Sequence, residues 1–572
     1  VAEPAMTIDE AYARLTASGA SFEMCPAEVQ GTEMAVFARR PPHLRHWLEA
    51  SAAQWPDTEC WVFDDGRRLT FSQHARAVAQ VAAGLRDRYG IRRGDRVAVL
   101  GANSLEWILT FWAATSLGAV TVAMNGWWQA DEIVYALQLT SPKVLVADTR
   151  RLERLGETPP TWIDDEGRTV EVPVVVTDRD FAEKLWDPNL AVDLPIGHID
   201  EDDPAVILFT SGTTGRPKGA INTHRNLISF VMISFLSGAA RGLQFPRPAE
   251  ADAPAIVNLC SSPLFHVSGL QSAAIAGIAS GTKYVWTTGR FDPKAILELT
   301  KAEDVTRLGG ITTQMWRLIE HPDFDSYDLS RVTSTGGGGS VWSPELQRTL
   351  REKMPNAAVN FNVGYGLTEC AGLCTMANTE MLLAHPDGVG TAIPTAQVAI
   401  LDDYGQPLSR GEIGNVCIKG PMVMPGYWNN PTATADAFFP GRWLKSGDFG
   451  WMDEHGMLFL ATRKRDMIIR GGENIYPIEI ENRLDEHPAI VEAAVLGVDH
   501  RTLGQQVKAI VVPRPGVDVD VDDVKAFVGQ TLAYYKVPEI IEIRVTPLPR
   551  TPTGKIMKHV LSGESENTFV EE

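Results

Sequence analysis

Apolar and polar positions follow two textures along the 572-residue chain. In the first, short and almost purely apolar runs alternate with amphipathic stretches. "RVAVLGANSLEWILTFWAATSLGAV" is the pattern in miniature. It predicts a strand near Val97–Leu100, a turn at Gly101–Asn103, and a helix for which Ser104 is the cap. "KVLVADT", "AVILFT", "TKYVWTT" and "AVNFNVGYG" repeat the buried-strand signal, each with helix-like sequence nearby. Such alternation predicts an α/β architecture with largely parallel sheets. From about Gln397 the texture changes. "VAILDDYGQPLSRGEIGNVCIKG" reads as strands separated by turns rich in Asp, Gly and Pro, a β-rich subdomain. After Arg465 comes a smaller α+β pattern. It consists of a hairpin, the helix "IEIENRLDEHP", the strands "IVEAAVLGV" and "QVKAIVVP", and the helix "VDDVKAFVGQTL". The expected division is a large N-terminal domain over 1–464 and a small C-terminal domain over 465–572, with "TRKRD" at the junction.

Length and composition change this picture only a little. The usual allowance of roughly 100–200 residues per domain suggests about three to four compact units. A formal net charge of −20 argues against nucleic acid or an anionic membrane as main partner, so basic clusters are left to serve small anions. Six scattered cysteines fit a reducing cytoplasm. Cys370 and Cys374 lack a second pair or a histidine at ligand spacing, and read as packing. The start "VAEPAMTIDEAYARL" is not built like a signal peptide, and no window of about twenty uninterrupted apolar residues suggests a membrane span. A cytoplasmic location is expected. Peripheral membrane contact and a homodimer remain open.

The chemistry concentrates in "TSGTTGRPKG", Thr210–Gly219, placed directly after an apolar strand. Gly212 and Gly215 let backbone amides turn toward an anion. Thr210, Ser211, Thr213 and Thr214 add hydroxyl donors, and Lys218 adds mobile positive charge. A polyphosphate is the ligand this set suits. A surface linker explains the glycines but not hydroxyls and cations together. The stretch is not a Walker loop, because Pro217 stands where the second glycine of that motif belongs.

This stretch resembles the phosphate-loop signature of the adenylate-forming superfamily: acyl-CoA synthetases, adenylation domains and luciferases. Four further stretches fall in that superfamily's order between Arg67 and Lys558. "NVGYGLTEC" resembles its YGxTE segment. The resemblance implies Tyr365 and Gly366 beside adenine, Thr368 near the α-phosphate, and Glu369 as a magnesium ligand. "TSTGGGGSVW" resembles the adenine-side glycine segment more loosely, with Gly338, Gly339 and Ser340 as the matching positions. "WLKSGDFGWMDEHGMLFLATRKRDMI" carries Asp448 and Arg463, which the resemblance assigns to the ribose hydroxyls. It also places Arg465 at a hinge, where an ordinary surface arginine is the competing reading. "PRTPTGKIMKH" presents Lys555, implied to bridge carboxylate and α-phosphate. Gly472 of "RGGENIYP" is implied to line the thiol's approach once a mobile C-terminal domain has rotated.

The reaction so implied is ATP-dependent formation of an acyl-adenylate and transfer of the acyl group to coenzyme A. In "PLFHVSGL", His266 stands where amino-acid-activating relatives carry an Asp, which disfavours an amino-acid substrate. The implied role of His266 is to border the carboxylate; a hydrogen-bonded core histidine is the rival reading. Trp286, Met315, Trp316 and Trp342 suit either an acyl pocket or the core. A medium- or long-chain fatty acid is the expected substrate, with an aromatic or sterol-derived acid as alternative. A carrier protein as thiol acceptor, a luciferase-like oxygenase and a catalytically dead sensor are the competing functions.

Overall fold

The computed structural model describes residues 4–563 except 157–158, 196, 211–215, 247–254, 340–341, 464–465, 471–472 and 552–553. Its first sheet has the strand order Val174–Val176, Val144–Ala147, Arg96–Leu100, Val120–Met124, Pro204–Thr210, Lys218–Thr223. The first five strands pair in parallel; the last is antiparallel. Arg96–Leu100 and Val120–Met124 are almost wholly buried, which explains why they read as unbroken apolar runs: a parallel sheet covered by helices has no wet face. Ser104 caps the helix Leu105–Ser116 by accepting from the Trp107 N–H, as the sequence predicts.

A second sheet runs Arg307–Leu308, Val257–Cys260, Lys283–Trp286, Glu59–Phe63, Arg68–Thr70. It continues through backbone bridges at Arg307–Ser334 and Gly310–Gly337 into a third, Thr335–Gly338, Phe361–Tyr365, Thr375–Ala377, Thr391–Ala392. The β-rich part is an antiparallel sheet of Gln397–Leu401, Gly414–Lys419, Trp443–Met452, Phe438–Phe439 and Leu458–Arg463. From Ile468 onward the chain builds a further sheet of its own. There Ile490–His500 and Gly504–Pro513 form a long antiparallel pair, and the helices Pro477–Asp485 and Val521–Gly529 bury Ile480, Leu484, Val524 and Val528 in a separate core. The fold class expected from the sequence, α/β sheets with a β-rich subdomain and a small α+β unit, is the one observed.

Two details go beyond the sequence reading. The helix His224–Gln244 follows soon after the glycine and hydroxyl stretch, and between them Lys218–Thr223 is a strand paired back onto Pro204–Thr210. "KGAINT" carries too few apolar residues to announce itself; it is a strand because its neighbour supplies the ladder. Trp286, Met315 and Trp342 are core residues, each no more than 2% exposed, with Trp316 packed alongside. Among the described helices, His224–Gln244 is long and apolar enough to cross a membrane, but most of that surface is buried in the main core. Cys370 and Cys374 are buried too, donating through sulfur to the Leu367 and Tyr365 carbonyls.

Candidate active site

Three strands end at one place. Thr210, Gly338 and Tyr365 are the last residues of Pro204–Thr210, Thr335–Gly338 and Phe361–Tyr365. In open α/β sheets the carboxyl ends of the strands, where the sheets diverge, are where ligands settle. The antiparallel sheet adds Asp448 and Arg463, directly opposite each other across the pair Trp443–Met452 and Leu458–Arg463.

The buried Asp448 carboxylate is held from two sides. The Tyr365 hydroxyl donates to its Oδ2 at 2.7 Å, and Arg463 Nε lies 3.2 Å from its Oδ1. Burial, and then the neighbouring Asp448 charge, push the Tyr365 phenol well above its usual range, so it stays a protonated donor. This aromatic–acid–cation group joins residues the sequence motifs had placed far apart.

A second group surrounds Glu369. The Tyr427 hydroxyl donates to Glu369 Oε1 at 2.8 Å, and the Lys218 ammonium sits 5.2 Å from the centre of the Tyr427 ring. Burial and then the Glu369 charge raise the Tyr427 phenol. Backbone contacts fix the turn Thr368–Cys370: the Met424 N–H donates to the Glu369 carbonyl at 2.8 Å, and Asn222 Nδ2 donates to the Thr368 carbonyl at 3.2 Å. Gly366, just before this turn, has no room for a side chain, since a Cβ there would lie 2.5 Å from the backbone of Gly372. Arg216, the other cation of the phosphate-loop stretch, stacks 5.2 Å from the ring of Tyr135 instead.

Tyr427 is the residue the sequence reading missed. It lies 58 positions from Glu369, within "MPGYWNN", which carries no chemical signature. Its segment reaches the site because it bridges to Ala220 and the Trp428 N–H donates to the Gly219 carbonyl at 2.8 Å. A hydrogen bond to a charged group is worth about 1.5–3 kcal/mol. Tyr427→Phe is therefore expected to lower kcat for acid-dependent pyrophosphate exchange about tenfold or more, with unchanged circular dichroism. An unaltered kcat rules out this positioning role.

The third group joins the small unit to the large one. The turn Thr551–Lys555 is closed by Thr551 N–H to the Lys555 carbonyl, Gly554 N–H to the Thr551 carbonyl, and Lys555 N–H to Thr551 Oγ1, at 2.8, 2.8 and 3.1 Å. Gly554 has φ +75°, and a Cβ on it would fall 2.3 Å from Thr313 Oγ1 and 2.6 Å from Ile311 Cδ1. Only glycine lets the turn press so closely against the large unit. Arg514 reaches Glu320 across the same boundary at 3.6 Å. Lys555 is thereby brought near His266, whose pKa is lowered to about 3 by burial and then by the Lys555 ammonium. His266 is neutral at working pH, and its Nδ1 lies 3.2 Å from Ser268 Oγ.

The structure thus gathers Thr210, Lys218, His266, Gly338, Gly339, Tyr365, Gly366, Thr368, Glu369, Asp448, Arg463 and Lys555 around the strand ends and the facing small unit. Ser211, Gly212, Thr213, Thr214, Gly215, Ser340, Arg465 and Gly472 lie outside the described residues. Among the described residues no group of three or more His, Cys, Asp or Glu side chains could hold a metal ion by itself.

The profile of the AMP-binding enzyme family matches residues 48–428, and that of the AMP-binding enzyme C-terminal domain matches 479–555. A feruloyl-CoA synthase from Amycolatopsis is 34% identical, covering 86% of this chain and 93% of that protein. A mitochondrial medium-chain acyl-CoA ligase from Danio rerio is 31% identical, covering 91% and 88%. The structure of Bacillus subtilis o-succinylbenzoate CoA synthetase with its acyl-adenylate intermediate superposes with a TM-score of 0.75 at 26% identity, over 91% of this chain and 98% of that one. Two family profiles covering most of the chain and CoA-ligase relatives along nearly its full length agree with the residues gathered at the strand ends: the chain belongs to the AMP-binding, adenylate-forming enzyme family, in its acyl-CoA synthetase branch, and is an acid–thiol ligase.

Proposed function

We propose that the substrate acid is an apolar monocarboxylic acid of medium chain length, activated on ATP and passed to coenzyme A. The observation that carries this reading is the packing of the Thr551–Lys555 turn on Thr313 and Ile311, which brings the Lys555 charge close enough to be felt at the buried, neutral His266. A carboxylate placed there faces an ammonium group and an uncharged imidazole, and no acidic side chain has been placed to pair with a substrate ammonium. An α-amino acid is disfavoured on that ground.

Chain length is argued from the wall beside it. On the strand Phe361–Tyr365, Phe361 and Val363 belong to one core, so Asn362 and Gly364 face the other way. Gly364 lies against Leu373. Asn362 lines a cavity with the apolar Ile8, Met376 and Ile393 but also with Ser237, Arg241, Gln244 and Asn378, polar groups at which an apolar path ends. From Tyr365 back to Asn362 the strand spans about 10 Å at roughly 3.3 Å per residue, a length that suits a medium chain.

In the first step a carboxylate oxygen bonds to the α-phosphorus as the bond to pyrophosphate breaks. Lys555 lowers the barrier by neutralising charge that grows on the oxygens in flight, and Thr368 lies beside that phosphate. The loop residues Thr210–Gly215 with Lys218 hold the outer phosphates, while Tyr365, Gly338, Gly339 and Ser340 flank the adenine. Asp448 accepts from the ribose hydroxyls and Arg463 orients Asp448. Glu369 fits magnesium: its Oε1 is steadied by Tyr427, and one carboxylate plus substrate phosphates is the ion's usual arrangement. Bound there, the ion would offset phosphate charge. In the second step the thiol sulfur attacks the acyl carbonyl carbon and AMP leaves. We place the division between the two domains at 464/465, with Arg465 as hinge and Gly472 near the thiol, supported by the separate sheet and core that begin at Ile468.

Acetate, octanoate, hexadecanoate, cinnamate and alanine, each offered with ATP and coenzyme A and scored by AMP release, test the reading. Octanoate should give the highest kcat/KM and alanine none. A best substrate of two or sixteen carbons would refute the chain length, and release of ADP and phosphate would refute the reaction. Acyl transfer to a carrier protein but not to coenzyme A would replace the acceptor.

A further inference from the structure

The helix Thr312–Ile319 of the large unit is held by the small unit at both ends. Its own position is fixed, because Met315, Leu318 and Ile319 are buried in a core of the large unit. At its N-terminal end the turn carrying Gly554 presses on Ile311 and Thr313. Thr313 Oγ1 is closed off from water there without a hydrogen-bond partner, so this contact by itself costs free energy. At the C-terminal end, about 10 Å further along the axis at roughly 1.5 Å per residue, stands Glu320. Arg514 Nη1 of the small unit lies 3.6 Å from Glu320 Oε1.

Both grips belong to one piece of the small unit. Arg514 directly follows the strand Gly504–Pro513, in which Val512 pairs with Glu492 and Pro513 with Ile490. The Glu492 carboxylate accepts from the Leu548 N–H at 2.9 Å and lies 3.5 Å from Arg550 Nη2. Arg550 Nη1 in turn donates to the Gly554 carbonyl at 2.8 Å, one residue before Lys555. Strand, carboxylate, guanidinium and turn are joined without a gap. Fixing Arg514 on the helix therefore fixes where the Lys555 turn stands.

We propose that Arg514 and Glu320 are positioning residues for the first half-reaction: they seat the small unit on the helix Thr312–Ile319, and Lys555 with it, without touching a substrate. With 37% and 43% of the two side chains exposed, the pair is partly wet. Pairs of that kind shift an equilibrium by up to about fivefold. That strength offsets the burial of Thr313 Oγ1 yet leaves the seat free to open when Lys555 has done its work. Thioester formation does not use Lys555, so the pair acts on one half of the chemistry. This deepens the proposed function and rests on its assignment of Lys555 to the first step.

The test is a charge series read in both half-reactions, with octanoate as the acid. Arg514→Gln should lower acid-dependent ATP–pyrophosphate exchange about two- to fivefold. Arg514→Glu, which sets two carboxylates against each other, should lower it further. Glu320→Arg combined with Arg514→Glu should restore it; should that double variant fold poorly, Arg514→Lys, which keeps the charge, is the restoring variant. Thioester formation from synthetic octanoyl-adenylate should fall in none of them. The gap between wild type and Arg514→Gln should close between about 0.02 M and about 0.5 M salt, because an exposed pair is screened. Unchanged exchange in both Arg514 variants, equal losses in the two half-reactions, no rescue by the restoring variant, or a gap indifferent to salt would each overturn the proposal. Should octanoate not be activated at all, the failure belongs to the function reading, and a distance decides the pair. Spin labels go on Ile163→Cys and Tyr534→Cys, both exposed, in a Cys25→Ser chain, since the other five cysteines are buried. A smaller share of the seated distance in Arg514→Glu, regained in the restoring variant, supports the proposal; equal shares overturn it.

Discussion

Lys555→Ala is expected to reduce acid-dependent ATP–pyrophosphate exchange by about a hundredfold to a thousandfold, the usual cost of removing one preorganised charge-stabilising donor. Thioester formation from a synthetic acyl-adenylate should be nearly unaffected, because by then the α-phosphorus has already been attacked. The split matters more than the size. Lys555 reaches the site only through the turn whose Gly554 packs on Ile311 and Thr313, so a variant that merely loosened the small unit would impair both half-reactions. Equal losses in the two would mean that Lys555 is structural. Unchanged exchange would remove it from the chemistry.

Acid should weaken this protein steeply, and buried histidines are the reason, His74 and His224 adding to the share of His266. His74 sits edge-on between Trp61 and Trp112, at centroid distances of 5.6 and 6.3 Å, with neither ring nitrogen paired. His224 accepts from the Leu44 N–H through Nδ1 at 3.2 Å, which requires that nitrogen to be unprotonated. Burial lowers both pKa values to about 3, from an ordinary 6.5. Above pH 6.5 neither the folded nor the unfolded chain protonates them. Between 6.5 and 3 the unfolded chain binds protons that the folded one refuses, so stability falls as the pH falls through that window. Each histidine contributes a slope of about 1.4 kcal/mol per pH unit, or roughly 3 kcal/mol by pH 4.5. Urea midpoints followed from pH 7 to 4.5 should drop accordingly, and His74→Phe should flatten the curve by one histidine's share. Parallel curves for wild type and variant would show that His74 titrates alike in both states.

How far the sequence reached differs from element to element. Val97–Leu100, the Ser104 cap and the hairpin, helices and long strands after Ile468 were legible because local apolar pattern and capping chemistry alone decide them. Asp448 and Arg463 were legible as motif residues, yet nothing local says that they stand opposite each other with the Tyr365 hydroxyl on the same carboxylate. The strand Lys218–Thr223 was not legible, since its apolar content is low and its pairing partner makes it a strand. The same limit hid Tyr427, whose relation to Glu369 is created by a bridge to that strand. Trp286, Met315 and Trp342 could be assigned to core or pocket only once their neighbours were known.

By itself, then, the sequence determined the architecture, the family and the chemical types present: hydroxyls and a lysine for phosphates, carboxylates, a late lysine after a tight turn. These follow from side-chain chemistry and from periodicities of a few residues, which the chain carries wherever it goes. Tertiary structure decided which of those groups share a carboxylate, which tyrosine steadies Glu369, and that the Lys555 turn packs on the large unit, on the side of His266. Such relations join residues distant along the chain, and only the packing of strands and helices against one another sets the distances over which a hydrogen bond or a charge can act.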